Sequence, residues 1–315
     1  MSKMKIIAVL LVLIMAVSGC AAMQNNAPEK NTPDINPKAE SANKDTSMVT
    51  LYYSYKGQQL LAGETRSIDV PVSEKLENAV IRALVDGPSA DRNQLVGLFW
   101  DGVELVNVKN NNDILFVTLS EEFVSTDPAT PVLGEGTVAD RKKLAIYSIV
   151  NTITEMGTYS SVQFYVESSG GTMGILKSEA GFGDSEERLA PQSWDNQYIL
   201  TPEKTVEEAL DSYNKKDWME LYDYTAYMNP DGTVKPDSDD FTAALGETGN
   251  SLDSYKPVGV NVASDGQSAV VILDYTIKTP NGDIARPKVP IKLVREEEIW
   301  KISYSSVVNV LINVG

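Results

Sequence analysis

The stretch "QSAVVILDYTIKTPNGDIARPKVPIKLV", residues 267–294, decides the fold of the C-terminal half. Two runs rich in apolar and β-branched side chains, about 267–279 and 284–294, flank Asn281-Gly282, the strongest short hairpin signal in the chain. Asp265-Gly266 joins an earlier strand, about 257–264, and a fourth is expected at about 299–307. Ahead of them, Thr201-Pro202-Glu203 opens a helix, with Thr as N-cap and Pro at the first helical position. Val206, Ala209, Leu210 and Tyr213 form its apolar stripe, and "NKKDWMELYDYTAYM" reads as a turn and a second helix before a polar loop. Helices followed by an antiparallel meander predict an α+β domain over 201–315.

Working towards the N-terminus, residues 169–200 are rich in Gly, Ser, Pro and acidic side chains. They read as a linker, or as an extension of the preceding domain, because Phe182, Leu189 and Trp194 are worth burying. Over 48–168, strands are expected at "VTLYYSYK", Thr65–Val70, Val103–Val108, Ile114–Leu119 and Ser161–Val166. Between them a helix starts from Ser73 as N-cap and stops at Gly87-Pro88, with Leu76, Ala79, Val80, Ala83 and Leu84 on one face. A second helix starts near Asp140, with Ile146, Ile149, Val150, Ile153 and Met156 on one face, and stops at Gly157. The fold class is therefore α+β, with α/β character in the first of two domains, each a sheet packed by helices.

The N-terminus reads differently. Lys3 and Lys5 precede an apolar run from Ile6 to Val17, short for a bilayer span and of signal-peptide length. Val17-Ser18-Gly19-Cys20 resembles the lipobox of bacterial lipoproteins. That resemblance implies cleavage between Gly19 and Cys20 and acylation of Cys20, giving a signal peptide over 1–19. Two or three acyl chains anchor stably where one does not. Residues 20–47, poor in large apolar side chains, are expected to form a disordered tether. Its coil dimension would be about 30 Å and its reach about 90 Å.

Composition removes whole classes of chemistry. The 315 residues contain one cysteine and no histidine. A Ser-His-Asp or Cys-His pair and a His/Cys zinc site are therefore excluded. Carboxylate, Lys or Tyr chemistry and oxygen-ligated cations survive. The net charge of −17, two more negative without Lys3 and Lys5, argues against nucleic acid and against a polybasic grip on anionic lipid.

Four pieces in order, "VTLYYSY", "IRALVDGP", "LFVTLSEEF" and "LAIYSIVNTITEMG", make residues 48–168 resemble the GerM domain of bacterial sporulation and germination lipoproteins. One departure is "LYYS", where the family often has Phe-Pro after Tyr. The resemblance implies a non-catalytic module outside the cytoplasm, acting at the envelope through protein partners, and it supplies no catalytic residues. Related domains occur in an actinobacterial lipoprotein that works with a sensor kinase. Residues 201–315 look like an NTF2-like or cystatin-like fold, on "TPEKTVEEALDSYNKKDWMELYDY" and on "EEIWKIS" in the last strand. In that fold helices pack into a concave sheet, and the pocket is used or filled.

Other patterns are weaker. "GEGTVADRKKLA" places Gly134, Gly136 and Ala139 before a helix, but no buried strand precedes it and Glu135 stands where a pyrophosphate would go, so it reads as a loop. Asp231, Asp237, Asp239 and Asp240 could ligate a cation, but Pro236 and Thr242 occupy the Gly and Glu positions of an EF-hand. Glu121-Glu122, Glu186-Glu187 and Glu296–Glu298 are adjacent acids, read as solvated surface rather than as a facing catalytic pair. Tyr213, Trp218, Tyr222, Tyr224 and Tyr227 read first as core and otherwise as a pocket or partner surface.

The expectation is a lipid-anchored, extracytoplasmic binding or scaffolding component of an envelope complex, not an enzyme, with no cofactor or metal. Its partners would be the membrane, through the acyl chains, and envelope proteins; oligomeric state is not legible. Two alternatives make distinct demands. A carboxylate-dependent glycan hydrolase needs an open cleft with facing acids. A small-ligand carrier needs a deep apolar cavity beneath the 201–227 helices. A scaffold needs an exposed apolar patch.

Overall fold

The computed structural model describes residues 44–125, 132–134 and 136–313. Cys20, Gly19, the leader and most of the expected tether lie outside the described residues. Residues from Lys44 onward form one compact unit, and a continuous apolar core runs through both of its modules.

In the first module β1 (Lys44–Tyr55) pairs antiparallel with β2 (Leu61–Pro71), and at its end with the two-residue β3 (Leu95–Val96). β1 thus begins four residues ahead of the expected Met48, because 44–47 pair with 68–71 of β2. β3 is too short to cover the rest of β1's free edge. There the Tyr52 N–H donates to Thr152 Oγ1 (3.2 Å), and Ser148 Oγ donates to the Tyr52 carbonyl (2.6 Å). Both hydroxyls lie on α2 (Val138–Glu155), so helix side chains replace a missing strand for the Tyr52 N–H and carbonyl.

The second sheet has the order β4 (Leu105–Asn111), β5 (Ile114–Ser120), β6 (Ser161–Ser168), β7 (Gly171–Gly174). β5 and β6 are parallel, and α2 is their crossover. Leu115, Val117 and Leu119 alternate into the core while Ile114 and Phe116 face the other way. Thr137 caps α2 in a reciprocal box with Asp140, so the helix begins just before the expected Asp140. α1 (Leu76–Asp86) buries Val80, Ile81 and Leu84 and stops at Gly87. Its N-cap is Lys75, without a side-chain cap bond, not Ser73. The chain needs residues 72–75 to turn out of β2, and the Glu74 N–H donates back to the Pro71 carbonyl.

Residues 175–200 extend this module. Leu176 bridges Arg188, Val162 bridges Gln192, and Leu189 is buried. Trp194 meets Tyr52 edge-on at 5.9 Å. At Gly181, φ is +80° and a Cβ would sit 1.9 Å from the Ala139 carbonyl oxygen, so only glycine fits against the first turn of α2.

The second module opens with α3 (Pro202–Lys215), capped by Thr201 as expected, and α4 (Trp218–Tyr224), capped by Asp217. The polar loop then contains a helix the sequence reading omits, α5 (Ser238–Gly246), with the Asp237 side chain accepting from Asp240 N–H. A four-stranded antiparallel sheet follows: β8 (Ser251–Val262), β9 (Ser268–Thr279), β10 (Gly282–Glu296) and β11 (Ile299–Ile302). The β9–β10 hairpin forms with Pro280-Asn281 at its centre, and Gly282, φ +124°, opens β10. Glu297 and Glu298 make the β10–β11 turn, both at positive φ as a two-residue hairpin requires.

The fourth strand ends at Ile302, not near 307. Ser303 caps α6 (Tyr304–Val307), and helical turns continue to Ile312. The β-branched run argues for a strand, but Val307, Val310 and Leu311 share one helical face that is buried against the sheet. Tertiary burial overrides propensity here.

Candidate functional site

The densest polar constellation lies where the two modules meet. Lys301, on β11, is 3% exposed. Its ammonium donates to the Tyr55 hydroxyl (2.7 Å), Gln94 Oε1 (2.6 Å) and the Asp223 carbonyl (2.6 Å), so three hydrogens meet three acceptors. Burial brings its pKa down to about 7; Lys56 and Lys235 push the same way, and Glu296 and Glu297 oppose them. Lys235 donates to the Tyr222 and Thr225 carbonyls, both at 2.7 Å, and lies 3.6 Å above the centre of the Tyr222 ring. Burial lowers its pKa to about 8. Together the two lysines satisfy the C-terminal carbonyls of α4, where cations are favoured.

Around them the contact is tied further. Lys56 pairs with Asp223, Gln58 bridges Glu220 and the Tyr224 hydroxyl, and the Glu298 carboxylate accepts from the Thr65 N–H. The Tyr55 and Tyr224 rings are 5.5 Å apart. The donors and acceptors are mutually consumed, which makes this a rigid joint rather than a reaction centre. The sequence reading missed it. Its one local signal is a lysine between Trp300 and Ile302 in an otherwise apolar strand.

Under α3 and α4 the expected pocket of the second module is filled. A void of about 10 Å³ remains, lined by Val206, Leu210, Leu273, Ile291 and Val310 among others, about room for one water. The α6 segment closes it. Of the aromatic group, Tyr213 and Tyr224 are core, Trp218 and Tyr222 are half-buried against it, and only Tyr227 is well exposed.

The other sequence candidates stay apart. Asp231 accepts from Thr233 in a loop, while Asp237 caps α5 and Asp239 and Asp240 lie in its first turn. Among the described residues no cluster of three metal-type side chains occurs. Gly134 and Gly136 belong to the loop that delivers the Thr137 cap. Glu121 and Glu122 lie in an exposed single turn, and Glu187 pairs with Lys177 at 2.6 Å. The plain surface reading fails for Glu296 and Glu298: Glu296 accepts from the Tyr227 and Met228 N–H groups, and Glu298 ties the modules. The carboxyls whose pKa burial raises, Glu155 and Glu208, stand on α2 and α3, in different modules. β8, the outermost strand of its sheet, leaves Val258, Val260 and Val262 more than two-fifths exposed in a row.

Residues 50–170 match the family model described as "Germane: Sporulation and spore germination". No curated protein matches the chain. Among solved structures, the tandem GerMN domains of the Bacillus subtilis sporulation protein GerM align at 22% identity over 49% of this chain and 48% of that one, TM-score 0.33. The alignment thus spans about half of that protein. A candidate lipoprotein of Clostridium perfringens aligns at 18% identity over 49% of this chain and 90% of its own, TM-score 0.29. An NTF2-like protein of unknown function from Cytophaga hutchinsonii aligns at 14% identity over 33% and 88%, TM-score 0.23. Among the described residues no helix is long and apolar enough to cross a membrane.

Proposed function

From the match of residues 50–170 to the Germane family model, we propose that the chain is a lipid-anchored component of an extracytoplasmic envelope complex in sporulation or germination. It acts by binding rather than catalysis. The family match carries this reading. The filled cradle supports it against the carrier alternative, because a void of about 10 Å³ cannot hold a metabolite. The lipobox resemblance around Cys20 supports the location. The apolar row Val258, Val260, Val262 on a free strand edge supports a protein contact made by strand addition.

The test is affinity capture with the full chain from envelope extract, beside Val260→Lys. A defined envelope protein recovered with the parent and lost with the variant is expected. Release of muropeptides from purified wall by the chain would overturn the non-catalytic reading.

A further inference from the structure

The β4–β7 sheet carries helices on one face only. On its other face the register brings Lys109 opposite Phe116, and Asn107 opposite Thr118, which lies opposite Tyr165. Phe116 and Tyr165 lie with ring centres 6.0 Å apart at 38°, both half-buried. They floor an open groove of about 380 Å³.

Three properties separate this groove from ordinary surface. First, most of the polar side chains around the rings are uncommitted, Asn110, which accepts from Lys75 at 3.0 Å, being the exception. Among the described residues Asn107, Lys109, Asn111 and Thr118 make no side-chain hydrogen bond or ion pair, whereas the module junction consumes all of its polar groups. Second, they mix donors with acceptors: two carboxamides, a hydroxyl and an ammonium. Third, a chain of net charge −17 places no carboxylate in the groove's lining, and Lys109 is its one charged group.

A pyranose has the complementary chemistry. Its C–H faces stack on aromatic rings, and its rim of hydroxyls and acetamides pairs with carboxamides and hydroxyls. Lys109 adds a preference for acidic substituents. We propose that this groove binds an N-acetylhexosamine glycan strand bearing carboxylates. Phe116 and Tyr165 would form the stacking floor, Asn107, Asn111 and Thr118 would hold acetamide and hydroxyl groups, and Lys109 would pair with a carboxylate. The proposal goes beyond the protein-binding reading and uses a different surface from β8.

Titration calorimetry on the full chain in detergent tests it with two probes. One is a neutral β-1,4-linked N-acetylglucosamine tetramer; the other is wall glycan solubilised by a muramidase. The parent is expected to bind both saturably below about 10 mM, the acidic probe more tightly. Tyr165→Ala and Phe116→Ala each weaken both probes by about tenfold or more. Lys109→Glu, which leaves the ring floor intact, weakens the acidic probe selectively and keeps the argument testable should Phe116→Ala unfold. Val260→Lys on β8 leaves glycan binding unchanged, so this result and the protein-partner result are read separately. No saturable binding by the parent overturns the proposal. So does equal binding by parent, Tyr165→Ala and Lys109→Glu, or a face that recovers only a protein.

Discussion

Replacing Lys301 with methionine keeps the length of the stem and removes the charge. The parent buries an ammonium whose pKa falls from an ordinary 10.5 to about 7. The unfolded chain keeps its proton until about pH 10.4, while the folded chain releases it near pH 7. Between those values the unfolded state binds more protons, so stability rises with pH. The full cost of burying the charge is carried below pH 7 and is progressively relieved above it. Lys56, Lys235, Glu296 and Glu297 set the field in which this happens.

At about 1.4 kcal/mol per pH unit, the gain between pH 7 and 9 is on the order of 2–3 kcal/mol. In Lys301→Met this gain vanishes. At pH 7 the variant also takes the ammonium donor from the Asp223 carbonyl, whereas Gln94 Oε1 keeps the Tyr55 hydroxyl as a donor at 3.4 Å. That costs about 1–3 kcal/mol. Urea unfolding of the full chain at pH 6, 7.5 and 9, followed by tryptophan fluorescence, measures both effects. Lys235, near 8, titrates in both proteins and leaves a smaller slope in the variant, and Lys235→Met beside Lys301→Met separates the two coupled lysines. Parallel stability–pH curves for parent and variant would refute the reasoning, since they would mean a solvated ammonium and an open junction.

Three further outcomes are expected. Gly181→Ala places a Cβ 1.9 Å from the Ala139 carbonyl at φ +80°, and thermal melting should show a loss of about 2–4 kcal/mol. Leu311→Ala enlarges the void beneath α3 and should cost about 2–5 kcal/mol in urea unfolding, with new uptake of a small apolar probe such as benzene. Cys20→Ser should move the chain from the detergent to the aqueous phase in a two-phase partition. Mass spectrometry of the native chain should find Cys20 acylated at the N-terminus, and an unmodified thiol would remove the anchor from the proposal.

Much of the fold was legible because its signals are local. Alternation in "ILFVTLS" and the stripe on α2 report burial through the geometry of one element, and Gly87 and Thr201 mark helix ends within a few residues. Errors came where a local pattern had two readings. The run 303–312 suits a strand by propensity and a helix by spacing, and only the open cradle above the sheet favoured the helix. α5 was hidden in a polar segment because its cap, Asp237, and the first-turn Asp239 and Asp240 also resemble cation ligands.

By itself the sequence determined most of the strands and helices of both modules, the absence of imidazole and of any second thiol, and the four ordered pieces that lie within the stretch matching the Germane model. Those follow from composition and from interactions a few residues apart. The tertiary structure alone decided that Lys301 meets Tyr55 across 246 positions, that α2 hydroxyls serve as a strand for Tyr52, and that an aromatic pair is left open on one sheet face. The physical reason is distance along the chain. Burial and pairing between remote segments are set by packing, and no short window of residues encodes its partner's position.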